Sequence, residues 1–120
     1  IRVLVVEDDP GSRKLMKEYF CILGYQFEFA ENGFEALEKL KAEKFSICFM
    51  DLQMPELDGI NATEIIRREI CPNLPIVALS ASVMAKDRRK CDAVGMNDYL
   101  SKPVSLEMLS ACIRRFFPES

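Results

Sequence analysis

Five short apolar segments, each followed by a segment with helical periodicity, most constrain the fold of this 120-residue chain. The apolar segments are rich in β-branched and aromatic residues, and they lie at residues 3–6, 25–29, 45–50, 75–79 and 98–100. Strict alternation of this kind predicts a mostly parallel sheet with helices on both faces. Because the chain contains no linker, repeat or low-complexity stretch, we predict one domain over residues 1–120.

The helical segments carry start and stop signals. Asp9 is predicted to cap the first helix, Pro10 to be its first residue and Gly24 to end it. Asn32-Gly33 is predicted to open the second helix, and the fourth, over about 83–93, is polar. The other four helices have apolar faces, which we predict to be Leu15, Tyr19, Phe20 and Leu23; Phe34, Leu37 and Leu40; Ala62, Ile65, Ile66 and Ile70; and Leu106, Leu109, Ile113 and Phe116.

The composition of the strands predicts their order. The first, third and fourth are nearly continuous apolar runs, which is typical of central strands buried on both faces. The second alternates between polar and apolar residues and the fifth is short, so we expect both at the sheet edges. With right-handed crossovers, these features predict an α/β fold, a doubly wound (βα)5 three-layer sandwich whose parallel five-stranded sheet has the order 2-1-3-4-5.

Polar residues follow the predicted strands at one edge of this sheet. In open α/β sheets, ligands bind beyond the carboxyl ends of the strands, at the point where the strand order reverses. That point lies here between strands 1 and 3, so we predict a crevice that gathers carboxylates, a hydroxyl and an ammonium group. The residues are Glu7, Asp8 and Asp9 after strand 1, Asp51 after strand 3, Ser80 after strand 4 and Lys102 after strand 5.

Carboxylates packed this closely repel one another and raise each other's pKa, a conflict that a bound cation resolves. Oxygen donors suit a hard ion, so we expect Mg²⁺, with Mn²⁺ as an alternative. Mg²⁺ usually shares its coordination shell with a phosphate, which makes a phosphoryl ligand the expected partner. Asp51 would then be the nucleophile that forms an acyl phosphate, Lys102 would neutralise charge, and Ser80 would donate to a phosphoryl oxygen.

Each of these residues also has a plain structural explanation. An acidic run after a strand is often a solvated helix start, and Asp51 could cap a helix or occupy a turn. Ser80 could cap the next helix, and Lys102 could be a surface charge. The prediction of a site depends on all of them lying at the same edge of one sheet.

Four segments of the sequence resemble the signatures of response-regulator receiver domains, in order and with that family's spacing. They are residues 5–10 (VVEDDP), 50–59 (MDLQMPELDG), 78–81 (ALSA) and 99–103 (YLSKP). The resemblance covers essentially the whole chain and implies a CheY-like, flavodoxin-like fold. It also implies a Mg²⁺-dependent phosphoacceptor in a two-component phosphorelay, which switches the surface of helix 4, strand 5 and helix 5.

The resemblance implies a role for each matching position. Asp51 is the phosphoacceptor, Lys102 pairs with the phosphoryl group, and the Lys102–Pro103 peptide bond is cis. Ser80 is the switch hydroxyl, and Tyr99 is the switch aromatic that turns inward when Ser80 moves. Glu7 stands where many members have Asp, and its longer arm is expected to act through water. The implied metal ligands are Glu7, Asp8, Asp51 and the backbone carbonyl of Gln53.

Two further positions tune the lifetime of the phosphoryl group in this family, and here they are Gln53 and Ser82. Neither is an acid that could help a water molecule attack. We therefore expect moderate to slow self-dephosphorylation.

Residues 50–55 and 95–104 look most like receivers fused to hybrid sensor histidine kinases. This implies phosphoryl exchange with a kinase dimerisation/phosphotransfer domain or a histidine phosphotransfer protein, docked near Pro103 and the first and last helices. The parent chain would be a histidine kinase, whereas the domain would catalyse only its own phosphorylation and dephosphorylation. The receiver of a stand-alone or DNA-binding response regulator is the alternative, and monomer or homodimer is left open.

Composition excludes several other classes. A net charge of −3 and a pI near 5.1 argue against nucleic-acid binding through a broad basic surface. No apolar run approaches the ~20 residues of a membrane span, and no signal peptide is recognisable, so we expect no membrane contact by this domain. Five cysteines without a CxxC pair, in a chain without histidine, indicate reduced and mostly buried thiols rather than a zinc site. We expect a cytoplasmic domain, which leaves room for a membrane anchor elsewhere in the parent protein.

Three rival functions share parts of this pattern. A flavodoxin would need a Ser/Thr/Gly-rich loop after strand 1, where the acidic run would instead repel the flavin phosphate. A phosphatase or phosphomutase with an Asp nucleophile normally carries a second Asp two residues later, where this chain has Gln53. A pseudo-receiver usually lacks one of the acids, the acceptor or the lysine, and all are present here.

Overall fold

A computed structural model describes residues 1–81 and 85–119 of the chain. All neighbouring strands pair in parallel, in the order β2-β1-β3-β4-β5, which confirms the predicted topology. Most strands begin or end within two residues of the predicted bounds. The strands are β1 (Arg2–Val6), β2 (Gln26–Ala30), β3 (Ile47–Asp51), β4 (Ile76–Ser80) and β5 (Asp98–Ser101).

Five helices connect and flank these strands. The predicted cap of the first helix is confirmed, since Asp9 accepts a hydrogen bond from the Ser12 backbone N–H at 2.9 Å and Gly24 ends the helix with a φ of 78°. Val83, where we expected the fourth helix to begin, lies outside the described residues. The helices are α1 (Pro10–Leu23), α2 (Gly33–Ala42), α3 (Gly59–Ile65), α4 (Ala85–Val94) and α5 (Leu106–Phe116).

The third helix differs from the prediction, because α3 gives way to a π-helical turn over Ile66–Ile70. A π-helical turn holds about one residue more than an α-helical turn. Over a single turn, this difference is too small to appear in the spacing of the apolar residues. Within this turn, the Arg67 guanidinium donates to the Gly95 carbonyl at 2.8 and 3.0 Å and to Asn97 Oδ1 at 2.8 Å. These bonds tie the turn to the connection between α4 and β5.

The core has two apolar layers, one on each face of the sheet, because successive strand side chains point to opposite faces. On one face, Val3, Ile47 and Phe49 pack with Phe20 of α1 and Leu109 of α5. The other face is covered by α2, α3, the π-helical turn and α4. The buried residues of that second layer include Leu4, Val6, Leu37, Leu40, Cys48, Met50, Ala62, Ile66 and Cys91.

Two residues that we predicted on apolar helix faces are exposed instead. Leu15 is 41 % exposed and Phe34 is 51 % exposed. In α1 the sheet-facing stripe runs through Met16 and Phe20, so Leu15 is turned away by one residue, about 100° around the helix. In the first turn of α2 the small Ala36 takes the inward position.

The five cysteines are free; Cys48, Cys91 and Cys112 are buried, Cys71 is half-buried and Cys21 is exposed, so the prediction of mostly buried thiols is confirmed. Burial raises the pKa of the Cys48 thiol to about 12, so this group is held as the neutral thiol. Among the described residues, no helix combines the length and the apolar character needed to cross a membrane.

Candidate functional site

The parallel register brings the predicted site residues to one end of the sheet. Asp51 and Ser80 are the last residues of β3 and β4, whereas we predicted them directly after these strands. Asp51 pairs in register with Leu79. Glu7 directly follows β1, and Lys102 directly follows β5. Four strand ends therefore contribute to a single crevice at the point where the strand order reverses.

Three carboxylates cluster in this crevice. One oxygen from each of Glu7, Asp8 and Asp51 lies within 4.8 Å of the other two. Glu7 and Asp51 are buried, whereas Asp8 is exposed at the rim. The cluster is therefore a partly desolvated, negatively charged site that is open on one side.

Lys102 places its ammonium group between the two buried carboxylates. The Nζ atom lies 2.7 Å from Glu7 Oε1 and 3.2 Å from Asp51 Oδ2. The peptide bond between Lys102 and Pro103 is cis, as the resemblance implied. The lysine thus offsets part of the negative charge, but one cation faces three carboxylates.

The pKa values of the paired groups report this imbalance. Burial, and then contact with Asp51, raise the pKa of Glu7 above its usual 4.5, although Lys102 acts in the opposite direction. Burial alone would lower the pKa of Lys102, but its bonds to Glu7 and Asp51 outweigh burial and raise it above 10.5. The site therefore favours a second positive charge.

The donor set fits a hard divalent ion. Glu7 Oε1 is fully buried and, among the described residues, receives no hydrogen bond of acceptable geometry, although Lys102 lies at ion-pair distance. The Lys102 ammonium already neutralises one of the three carboxylates, so the remaining negative charge is what a divalent ion would balance. The cluster of carboxylate oxygens matches the preference of Mg²⁺ and contains no nitrogen or sulfur ligand.

The backbone around Asp51 is closely packed. The Gln53 backbone N–H donates to Asp51 Oδ1 at 3.1 Å, which fixes one carboxylate oxygen. A Cβ atom built on Gly59 would lie 2.4 Å from the Asp51 carbonyl oxygen, so only glycine allows α3 to begin this close to β3. The metal-ligand role of the Gln53 carbonyl stays a prediction, and Ser82 lies outside the described residues.

Arg13 contacts the loop that carries Glu7, although the sequence did not predict a role for it. Its guanidinium donates to the Glu7 backbone carbonyl at 2.9 Å and lies 3.3 Å from Glu31 Oε1. It therefore ties the loop after β1 to the loop after β2. An arginine in the second turn of a helix carries no sequence signal for such a contact.

Ser80 and Tyr99 occupy different surroundings. Ser80 is buried at the end of β4, beside the end of β3. Tyr99 lies apart from the carboxylate cluster of the crevice. Its hydroxyl instead donates to Asp92 Oδ1 of α4 at 2.6 Å. The structure thus brings Ser80 to the crevice and Tyr99 to the outer side of the sheet edge.

An apolar hollow of about 340 Å³ adjoins the crevice, between α1 and the loop that follows β5. The exposed Leu15 forms part of its rim, and Lys102 and Glu7 form part of its polar end. Its other apolar walls are Met16, Leu79, Ala81, Pro103 and Val104.

Comparison with known proteins agrees with this geometry. The family model described as the response regulator receiver domain matches residues 3–114. Hybrid signal transduction histidine kinase K of Dictyostelium discoideum is 36 % identical over 94 % of this chain. The chain spans only 10 % of that kinase's length.

Solved structures show the same relationship. The receiver domain of sensor histidine kinase PA1611 from Pseudomonas aeruginosa, with a magnesium ion coordinated in its active site cleft, is 33 % identical over 98 % of each chain, with a TM-score of 0.90. The Saccharomyces cerevisiae Ssk1 receiver domain, in complex with the histidine phosphotransfer protein Ypd1, is 36 % identical with a TM-score of 0.90. That match covers 97 % of this chain and 88 % of the other. The chain therefore belongs to the response regulator receiver domain family.

Proposed function

We propose that Asp51 accepts a phosphoryl group from a phosphohistidine and thereby carries a signal through a two-component phosphorelay. The observation that carries this proposal is the placement of the buried Asp51 carboxylate, which contacts the Lys102 ammonium and adjoins two further carboxylates. A nucleophilic carboxylate beside a fixed cation suits attack on a phosphoryl group.

In the proposed reaction, a carboxylate oxygen of Asp51 forms a bond to phosphorus. The bond between phosphorus and the donor imidazole nitrogen breaks, and that nitrogen keeps the electron pair. Lys102 neutralises charge on the phosphoryl oxygens, and Ser80 donates a hydrogen bond to one of them. The Gln53 N–H holds one oxygen of the Asp51 carboxylate, which limits its rotation.

Glu7, Asp8 and Asp51 would hold Mg²⁺, with the Gln53 carbonyl as a further ligand. When bound, Mg²⁺ would supply positive charge against the phosphoryl oxygens. The same ligand chemistry would accept Mn²⁺. Arg13 helps to fix the Glu7 backbone, because its guanidinium donates a hydrogen bond to the Glu7 carbonyl.

The partner that we propose is a histidine phosphotransfer protein or a kinase dimerisation/phosphotransfer domain. The hollow beside Lys102 supports this, because it places an apolar docking surface next to the acceptor. Leu15 at its rim is 41 % exposed, so its side chain is available to a partner that docks over the hollow. Truncation of Leu15 to alanine is expected to weaken such docking by about 1 kcal/mol or more.

The context that we propose is the cytoplasmic receiver segment of a hybrid histidine kinase, with the domain spanning residues 1–120. The similarity to hybrid kinase K over 94 % of the chain supports this context. Gln53, which is not an acid, supports moderate to slow self-dephosphorylation. Loss of label from the isolated phosphorylated domain would measure the rate, and a lifetime of seconds would contradict a slow reaction.

Beryllofluoride, a mimic of the phosphoryl group, tests the proposed function. We expect Mg²⁺ and beryllofluoride together to shift the amide NMR signals of the loops after β1, β3 and β4 in the wild type. Asp51→Asn should abolish the beryllofluoride response. Asp58→Asn is the matched control, because Asp58 caps α3 and asparagine caps equally well. A wild type without any response would contradict a phosphoacceptor and favour a pseudo-receiver.

A further inference from the structure

Tyr99 is held in its outward position by two side chains of α4. Its hydroxyl donates to Asp92 Oδ1 at 2.6 Å, a short distance for a hydrogen bond to a carboxylate. The Arg88 guanidinium carbon lies 5.3 Å from the centre of the ring, within the range of a cation–π contact. The carboxylate holds the tip of the side chain while the cation covers the ring.

Both contacts depend on the outward position. Tyr99 lies on β5, in register with Ala78 of β4, two residues before the buried Ser80. A ring that turned from α4 toward the end of β4 would lose the bond to Asp92 and the contact with Arg88. Inward rotation of the Tyr99 ring therefore costs the free energy of its contacts with Arg88 and Asp92.

We propose that Asp92 is a positioning residue that latches Tyr99 outward and thereby opposes the phosphorylated state of the domain. This inference rests on the proposed function and on the switch role that the resemblance to receiver domains implies for Tyr99, whose ring turns inward when Ser80 moves. A ligand that binds one conformation of a protein binds more weakly when the other conformation is stabilised. Asp92 therefore raises the free energy that phosphorylation must supply before Tyr99 turns inward.

The latch also links the switch to the protein surface. Asp92 and Arg88 are exposed residues of α4. When Tyr99 leaves, the Asp92 carboxylate loses its donor and the Arg88 guanidinium loses its aromatic partner. Arg88 and Asp92 lie about one helical turn apart, so they can then pair with each other or with a binding partner on this face.

Removing the carboxylate tests the latch. Asp92→Asn preserves size but weakens the acceptor, and we expect it to tighten Mg²⁺-dependent beryllofluoride binding by about three- to tenfold, because a surface hydrogen bond to a charged group contributes modestly. Asp92→Glu should stay closer to the wild type. Glu107→Gln, at an exposed position in the first turn of α5, controls for the change in net charge.

Tyr99→Phe separates the latch from a general effect of Asp92. It removes the same hydrogen bond from the other side, so the double variant Asp92→Asn/Tyr99→Phe should gain little over either single variant. The affinity for Mg²⁺ alone should stay unchanged. Additive effects of the two single variants, or unchanged beryllofluoride binding in Asp92→Asn, would overturn the latch.

A second readout does not depend on phosphorylation. The bond to Asp92, and then burial, raise the pKa of the Tyr99 hydroxyl above its ordinary 10.0, while Arg88 lowers it. In ligand-free Asp92→Asn, NMR titration of the Tyr99 ring should give a lower pKa than in the wild type. An unchanged ring pKa would contradict the latch itself, whereas a wild type that ignores beryllofluoride would contradict the proposed function.

Discussion

Glu7 shows at the scale of a single residue how the site is prepared for a cation. Its carboxylate is buried, and its Oε1 atom lies 2.7 Å from the Lys102 ammonium, which also pairs with Asp51. One ammonium shared between two buried carboxylates leaves negative charge that is costly in the metal-free fold and that a bound cation would balance. The local instability is thus tied to the proposed function.

The raised pKa of Glu7 predicts a pH dependence of folding. Just above pH 4.5, the folded protein keeps the proton on the Glu7 carboxyl group, whereas the unfolded chain has lost it. The contribution of Glu7 to the free energy of unfolding therefore falls as pH rises through that range. Glu7→Gln removes this slope. In urea unfolding with a chelator present, the variant should therefore gain stability relative to the wild type as pH rises above 4.5. A constant difference between the two proteins would contradict the prediction.

Thr63 offers a second test at this scale. Its side chain is fully buried in α3, and its hydroxyl has no hydrogen-bond partner among the described residues. Thr63→Val replaces the hydroxyl with a methyl group of similar size, so we expect about 1 kcal/mol of added stability in chemical unfolding. Thr63→Ser, which keeps the hydroxyl and loses the methyl group, should instead be less stable than the wild type. Destabilisation by valine would show that the hydroxyl is satisfied.

At the scale of the elements, the first turn of α3 is fixed against β3 by Gly59. An added Cβ would meet the Asp51 carbonyl oxygen at 2.4 Å and the Leu52 Cα at 3.0 Å, and both are backbone atoms that cannot turn aside. The position of α3 and the position of the Asp51 backbone are therefore coupled.

This coupling predicts that Gly59→Ala costs about 1–3 kcal/mol of stability, as overpacking does in protein cores. It should also weaken beryllofluoride binding, because the displaced backbone belongs to Asp51. Gly11→Ala is the matched control in the first turn of α1, where the nearest contact of the new Cβ is an ordinary 3.4 Å. That variant should be neutral or slightly stabilised. Equal stability and binding in the two variants, measured by urea unfolding and titration, would argue against the coupling.

Individual elements differ in how far the sequence predicts them. The cap at Asp9 and the end at Gly24 were predictable, because both act through bonds within the same few residues. The exposed Phe34 and the π-helical turn at Ile66–Ile70 were not, because they depend on which neighbouring element each residue meets. The contacts of Arg67 with Gly95 and Asn97 join segments that are 28 and 30 residues apart.

At the scale of the whole molecule, the strand order and the gathering of Glu7, Asp51, Ser80 and Lys102 were predictable. Strand composition identifies the central strands, and a parallel sheet places all carboxyl ends at one edge. The Tyr99–Asp92 bond was not predictable, because side-chain rotamers on an exposed face leave no periodic signal. Sequence patterns therefore predict which residues form the site, whereas the interactions that restrain those residues can be identified only in the three-dimensional structure.

Intact-protein mass spectrometry after incubation with a small phosphodonor such as phosphoramidate tests whether Asp51 accepts a phosphoryl group. With Mg²⁺, the wild type and the control Asp58→Asn should gain the mass of one phosphoryl group. Asp51→Asn, and the wild type with excess chelator, should gain none. Phosphoryl transfer to Asp51 would be contradicted if the wild type stayed unmodified with Mg²⁺, or if Asp51→Asn were modified to the same extent as the wild type.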